Sequence, residues 1–360
     1  MVYNEIRRKS KEIKIGNIAI GGSNKIAIQS MTNTDTADAE ATIAQIKALE
    51  ARGCDIARIT VPNIAAADTI FKIKESGISI PIVADIHFDY KIALKCAEVG
   101  VDKIRINPGN IGADENVKAV CEACFERSIP IRIGVNSGSL EKSILAKYGA
   151  PCAEALVESA LYHISLLEKY DFENIVISIK ASDVQNMISA NRMLAERIPY
   201  PIHLGVTEAG GGKSGLIKSS IGIGSLINDG IGDTIRVSLT DDPLLEIDSA
   251  KDILNALDIE GQSGLNVVSC PTCGRTKIDL ISLVKQFEAA VDKEGLRDIP
   301  LKVALMGCVV NGPGEAREAD VGIAGGVGEA LLFSHGEILQ KIPESEIIPT
   351  LIAKIKEYVK

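Results

Sequence analysis

The sequence predicts an α/β protein: an N-terminal (β/α)8 TIM barrel over residues 1–259, followed by a small α+β domain over residues 260–360. Three observations carry this. Between about residues 26 and 243, a short apolar strand followed by a stretch of helical period recurs eight times. No G-x-G-x-x-G follows the first strand, which weighs against a doubly wound open sheet. After "EGQSG" (260–264), which reads as a linker, the pattern changes to short strands broken by glycines.

In order, the barrel strands read "KIAIQSM" (25–31), "DIARITV" (55–61), "PIVADIHF" (81–88), "KIRINPGN" (103–110), "PIRIGVN" (130–136), "NIVISIKAS" (174–182), "PIHLGVTEAG" (201–210) and "DTIRVSLTD" (233–241). They are rich in Ile and Val, as buried parallel strands covered by helices require. Residues 1–24 hold short β-like pieces around "GG" at 21–22, read as a hairpin closing the barrel floor. The eighth helix is placed within 243–259. The second domain reads as a strand at 265–269, a helix at about 278–292 and a strand at 301–306. Short strands over 320–341 and a final helix from about 344 complete it.

Composition narrows the function classes. No apolar run reaches the roughly 18 residues of a membrane span. The opening "MVYNEIRRKSKEIKIG" lacks the apolar core of a secretory signal. Eight cysteines in such a chain point to the cytoplasm and to thiols as ligands rather than disulfides. A net charge of −9 argues against a general nucleic-acid or membrane surface.

Charge inside the strands points to a ligand. Alternate residues of a barrel strand face inward. The phase that turns the aliphatic residues toward the helices puts Arg58, Asp85, His87, Arg105, Asn107, Arg132, Asn136, Lys180, Ser182, His203, Arg236 and Ser238 inside. Five are cations on five strands, near the C-terminal ends where this fold carries its active site. Asp85 and Glu208 are the only evident acids beside them. Unpaired buried cations are costly, so an anion is expected to neutralise them, and several guanidinium groups suit phosphoryl oxygens. "EAGGGKSG" (208–215) misses the P-loop spacing and reads as a mobile loop after the seventh strand, with Glu208 at its hinge as a general acid.

The cysteines fall into two groups. Cys121 and Cys124 share a helical stripe with Val117, Val120 and Ser128, and read as buried structural thiols. Cys54, Cys96 and Cys152 read the same way. Cys270 and Cys273 in "CPTCGR" and Cys308 in "MGCVVNGPGEA" instead sit in Gly- or Pro-bearing turns after strands. Three thiolates admit a [4Fe–4S] cluster with a non-thiolate fourth ligand, for which Glu315 is the nearest oxygen donor. They also admit zinc, with His335 completing a Cys3His set.

Together the cation-lined barrel, "CPTCGR" and "MGCVVNGPGEA" resemble the 4-hydroxy-3-methylbut-2-enyl diphosphate synthases. The resemblance spans essentially the whole chain and includes "QSMTNTDT" (29–36), "ADIHFD" (84–89) and "RINPGNIG" (105–112). There is no room for the extra domain of the plant-type members, so the chain resembles the bacterial two-domain form. The resemblance implies a two-electron reductive ring opening of 2-C-methyl-D-erythritol 2,4-cyclodiphosphate, with loss of water. It implies that Cys270, Cys273, Cys308 and Glu315 hold a [4Fe–4S] cluster, with Glu315 displaced by substrate oxygen. It further implies that Arg58, Arg105, Asn107, Arg132, Lys180, Arg236 and Ser238 clamp the diphosphate. Asp85, His87 and Glu208 match the groups near the reacting carbons. Flavodoxin or ferredoxin is the implied electron donor, and a head-to-tail homodimer the implied assembly.

Two other classes compete. One is a non-redox barrel transferase on a diphosphate substrate, like the pteroate synthases, with a structural zinc ribbon. The other is a nucleic-acid module built on the ribbon, which the acids Asp279, Glu315, Glu318 and Asp320 oppose.

Overall fold

A computed structural model describes residues 3–259, 264–309 and 317–358. The chain forms two compact units, Met1–Ile253 and Leu254–Lys360. No helix among the described residues is long and apolar enough to cross a membrane.

The first unit is the expected barrel. A hairpin of β1 (Ile13–Ile15) and β2 (Ile18–Ile20) precedes eight parallel strands. These are β3 (Ala27–Met31), β4 (Ile56–Thr60), β5 (Ile82–Asp85), β6 (Lys103–Ile106), β7 (Ile131–Asn136), β8 (Ile175–Lys180), β9 (His203–Leu204) and β10 (Thr234–Ile235). Their order is β8-β7-β6-β5-β4-β3-β10-β9, and a parallel bridge between Ile177 and Ile202 joins β8 to β9. Helices alternate with the strands. Several start where a short polar side chain caps the first turn: Asp38, Asn63 and Asp183 each accept an N–H three residues on.

The hairpin is the predicted floor. Ile13, Ile15 and Ile20 pack against Ala27, Ile56, Val83 and Val176, which form the lowest inward tier of the strands. Asp233, just before β10, ties the N-terminal segment to the same end. Its carboxylate accepts from Arg7 at 3.1 Å, Ser10 Oγ at 2.8 Å and the Ile202 N–H at 2.8 Å. The last two barrel strands are shorter than the sequence pattern implied. Beyond Leu204 and Ile235 the chain leaves the ladder, and its continuations carry site residues instead.

The second unit is an α+β layer pair. Its five-stranded sheet runs β11 (Asn266–Ser269), β12 (Lys302–Met306), β13 (Val321–Gly325), β14 (Glu329–Ser334) and β15 (Glu337–Pro343). The first three strands are parallel and the rest antiparallel. Helices Leu280–Glu294 and Ile347–Glu357 bury Phe287, Val291, Leu351 and Ile355 against Val303, Leu305, Val321 and Ile323.

Candidate active site

In-register neighbours of a parallel sheet face the same way, so the pairing fixes what points into the barrel. Thr60, Asp85, Arg105 and Arg132 are partners in turn across β4–β7, and Asn136 pairs with Lys180. Arg58 pairs with Met31. Arg105, Arg132, Lys180 and Asn107 are each less than 8% exposed. Arg236 and Ser238, just beyond β10, are half-buried. The structure thus brings the predicted clamp residues to one end of one barrel.

Asp85 is the hub. Its Oδ2 accepts from Arg58 at 2.6 Å and its Oδ1 from Arg105 at 3.0 Å, with His87 Nε2 3.9 Å away. Burial alone would raise its pKa, but Arg58, then Arg105, overcome this and hold the carboxyl below the usual carboxylate range. Burial in turn draws Arg58 down to about 10 despite Asp85. His87 lies past the end of β5 with its side chain 49% exposed, so it stands at the rim rather than inside the strand array. Asn107 caps the next turn, its Oδ1 accepting from the Gly109 N–H at 3.1 Å. Glu208 is exposed, at the loop after β9, with φ of +53°. Such backbone in a non-glycine residue is uncommon and strained. The expected mobile loop ends sooner than its sequence implied, because Gly212 already opens the helix Gly212–Asn228.

Four residues escaped the sequence reading. Glu246, in helix Pro243–Ala256, is a third acid: it bonds Arg236 at 3.2 and 3.3 Å, Ser30 Oγ at 2.7 Å and the Leu239 N–H at 3.1 Å. Lys103 is a sixth inward cation, fully buried on the tier below Arg105. Gly134 and Gly205 make room for the cation heads. A Cβ on Gly134 would stand 2.5 Å from Arg105 Nη2, and one on Gly205 2.7 Å from Lys180 Nζ. Even with Glu246 counted and Lys103 left out, five cations face two buried carboxylates, so the charge excess read from the sequence holds.

The second unit gathers the other motif. β11 and β12 are parallel neighbours with Ser269 opposite Leu305, so Cys270 and Cys308 leave the same sheet edge. The Gly307 N–H donates to Cys270 Sγ at 3.3 Å, and the Lys277 N–H to the Gly307 carbonyl at 3.0 Å. A Cβ on Gly307 would sit 2.7 Å from Thr276 Cγ2, so the two turns approach closely at this glycine. Cys273 is exposed, and hydrogen bonds from Arg275, first backbone and then side chain, lower its thiol pKa. Among the described residues, no three His, Cys, Asp or Glu side chains already stand as a ready metal site. The donor chemistry nevertheless fits a cluster: three free thiols on adjacent turns, one accepting a backbone N–H, one biased toward thiolate. Glu315 lies outside the described residues. His335 is exposed in the β14–β15 turn, 3.9 Å from Asp320.

The remaining cysteines behave as expected, with two differences of detail. Cys54, Cys96, Cys121 and Cys124 are buried, and burial pushes the first three thiols up to about 12. Ser128 is exposed beyond the helix end, and Cys152 stands half-buried at the residue before a helix, making no capping bond to it.

Comparison with known proteins is consistent over the full length. The GcpE TIM-barrel domain matches residues 10–251 and the GcpE protein C-terminal domain matches residues 266–357. The chain belongs to the GcpE family. Curated relatives named 4-hydroxy-3-methylbut-2-en-1-yl diphosphate synthase (flavodoxin) include one from Fusobacterium nucleatum, 56% identical over 352 residues, 98% of each chain. Those from Geobacter sulfurreducens and Caldanaerobacter subterraneus are 54% identical over 98% of each chain and 56% over 99% of each. The GcpE barrel also resembles more distant solved folds. A type I 3-dehydroquinate dehydratase from Clostridium difficile aligns with TM-score 0.52 at 14% identity, covering 69% of this chain and 98% of that one. A dihydropteroate synthase from Stenotrophomonas maltophilia aligns at 0.51 and 13%, covering 70% and 99%. These two matches speak for the barrel alone.

Proposed function

We propose that this chain is an oxidoreductase that opens 2-C-methyl-D-erythritol 2,4-cyclodiphosphate reductively to 4-hydroxy-3-methylbut-2-enyl diphosphate. Two electrons enter and one water leaves. The observation that carries the reading is the convergence of Arg58, Arg105, Arg132, Lys180 and Arg236 at one end of the barrel, with Asp85 and Glu246 as the only buried counter-charges described there. Such a site favours a ligand with two phosphoryl groups over a neutral one.

In this reading Arg58, Arg105, Asn107, Arg132, Lys180, Arg236 and Ser238 bind the diphosphate and offset the negative charge that grows on it as the ring opens. Asp85 does not meet the ligand as a base, since both its oxygens are bonded to arginines. It aims Arg58 and Arg105. His87 and Glu208, at the rim, are the residues placed to hand protons to the departing hydroxyl. Residues 260–360 carry the cofactor: Cys270, Cys273 and Cys308 would hold three irons of a [4Fe–4S] cluster and Glu315 the fourth. When bound, that cluster supplies electrons singly and an iron able to take a substrate oxygen. Carboxylate binds such iron more weakly than thiolate, which suits Glu315 to yielding its place. Flavodoxin is the electron donor and a homodimer the working assembly.

The test is anaerobic purification with iron, sulfide and zinc analysis of wild type and Cys308→Ser, followed by turnover of the cyclodiphosphate with reduced flavodoxin. About four irons per chain, lost in Cys308→Ser together with turnover, is the expected result. One zinc, no iron and no turnover would replace the reading with a phosphate-binding barrel bearing a structural ribbon.

A further inference from the structure

A second polar tier lies under the site residues. Lys103 opens β6, two residues before Arg105 and on the same inward face. It is fully buried, and its Nζ has no hydrogen-bond partner. His203 and Gln29 share this depth: the Nε2 atom of each is unpartnered, while His203 Nδ1 meets Thr234 Oγ1 at 2.7 Å.

Among the described residues no carboxylate answers the Lys103 amine. On β5, Asp85 is occupied by Arg58 of β4 and Arg105 of β6. From β7 it faces Arg132, whose Nε and Nη1 are also unpartnered. Lys180 of β8 and His203 of β9 complete the surroundings, and Arg236 past β10 is already bonded to Glu246. A buried ammonium among guanidinium groups is unfavourable, whereas an amine there needs no counter-charge. Burial, then Arg132 and Arg58, press Lys103 well below its ordinary pKa. Lys180 is pressed the same way, but Glu246 pulls against that shift.

We propose that Lys103 is a further residue of the diphosphate site, an amine in the empty barrel that takes up one proton when an anion settles among the arginines above it. The charge of the site then rises only while ligand is present. This inference rests on the reading of the barrel as a diphosphate site.

The probe is inorganic pyrophosphate, titrated calorimetrically into the full-length chain at pH 8 in buffers of different ionisation enthalpy. Wild type, Lys103→Met and His203→Gln are compared. Protonation of pyrophosphate itself is common to all three and cancels. Wild type should take up about one proton more per site than Lys103→Met, and His203→Gln should match wild type. The bound-state pKa lies above the free one, so wild-type affinity should tighten as pH falls between the two, by up to about tenfold per pH unit beyond that of Lys103→Met. Equal proton uptake in wild type and Lys103→Met overturns the proposal. Failure of wild type to bind pyrophosphate at all overturns both this proposal and the diphosphate reading. Ligand-free melting supplies a second readout. Lys103→Met should melt higher than wild type at pH 7, and a lower Tm would show a charged, partnered lysine and overturn the proposal.

Discussion

Gly134→Ala separates the cost of folding from the cost of binding. The new Cβ would lie 2.5 Å from Arg105 Nη2 and 2.8 Å from Cζ, whereas ordinary contact begins near 3.5 Å. The guanidinium must therefore retreat by about 1 Å. All three nearest atoms belong to the end of a flexible side chain, so the fold should lose only about 1 kcal/mol, the low end of overpacking costs. Binding loses more. A 1 Å shift misaims the Arg105 donors proposed to meet phosphate. One charge-assisted hydrogen bond is worth about 1.5–3 kcal/mol. Pyrophosphate or substrate should then bind roughly 10- to 100-fold more weakly. Calorimetric Kd beside a urea denaturation curve is the assay. A Kd within about twofold of wild type, with the fold intact, would refute the claim that Gly134 exists to seat Arg105. Gly205→Ala is the contrasting case. Its Cβ would meet the Arg236 carbonyl oxygen at 2.7 Å as well as Lys180, and backbone cannot step aside, so stability should fall along with affinity.

Three further outcomes follow from the same geometry. Asp85→Asn leaves Arg58 and Arg105 facing each other and should cost about 3–5 kcal/mol at pH 7 by urea denaturation. Because the folded pKa of Asp85 is depressed, its contribution is present above its unfolded pKa of about 4 and is lost as pH falls through the folded value. A gap between the two proteins that closes above pH 5 would contradict this. Ile15→Ala opens the barrel floor at a fully buried position and should cost about 2–5 kcal/mol, so a loss under about 1 kcal/mol would show that the hairpin does not plug the barrel. In native, metal-free protein, iodoacetamide should label Cys273 well before Cys96, Cys121 and Cys124, read by peptide mass spectrometry. Earlier modification of Cys124 would mean that the helix stripe opens readily.

The sequence exposed whatever depends on local period. Eight Ile/Val strands, the floor hairpin and the outline of the second unit follow from alternation and turns, and the structure repeats them, with the last two barrel strands cut to two residues each. That the inward cations gather at one end was legible because they alternate with aliphatic residues on five strands and few acids stand beside them. What stayed hidden depends on partners distant in sequence. Lys103 opens its strand, where a lysine reads as a solvent flank, although it shares Arg105's phase, and register with Val83 places it inside. Glu246 sits in "PLLEIDSA" like any polar helix residue until Ser30 of β3 and Arg236 just past β10 reach it. Gly134 and Gly205 look like weak points in their strands, and their reason is the side chain of a neighbouring strand. The cysteine-bearing turns follow parallel neighbours, while Glu315, read from its spacing and from the resemblance, lies outside the described residues.

The empty barrel pays for its ligand in advance. Burying five cations and Lys103 against Asp85 and Glu246 opposes folding, and three features limit the damage. Asp85 serves two arginines at once, Glu246 reaches in from a helix to hold Arg236, and Lys103 can shed its proton. None of these removes the excess of positive potential, and each leaves donors free, as at Arg132 Nε and Nη1. A ligand that supplies negative charge and oxygen acceptors there relieves the repulsion and fills the donors together. That relief appears as binding energy without any closure of the barrel, since the strands already hold the heads in place. A neutral analogue of the same shape would gain the contacts but not the relief. On the proposed reading, selection for diphosphate lies in the resting charge of the barrel rather than in the fit of any single residue.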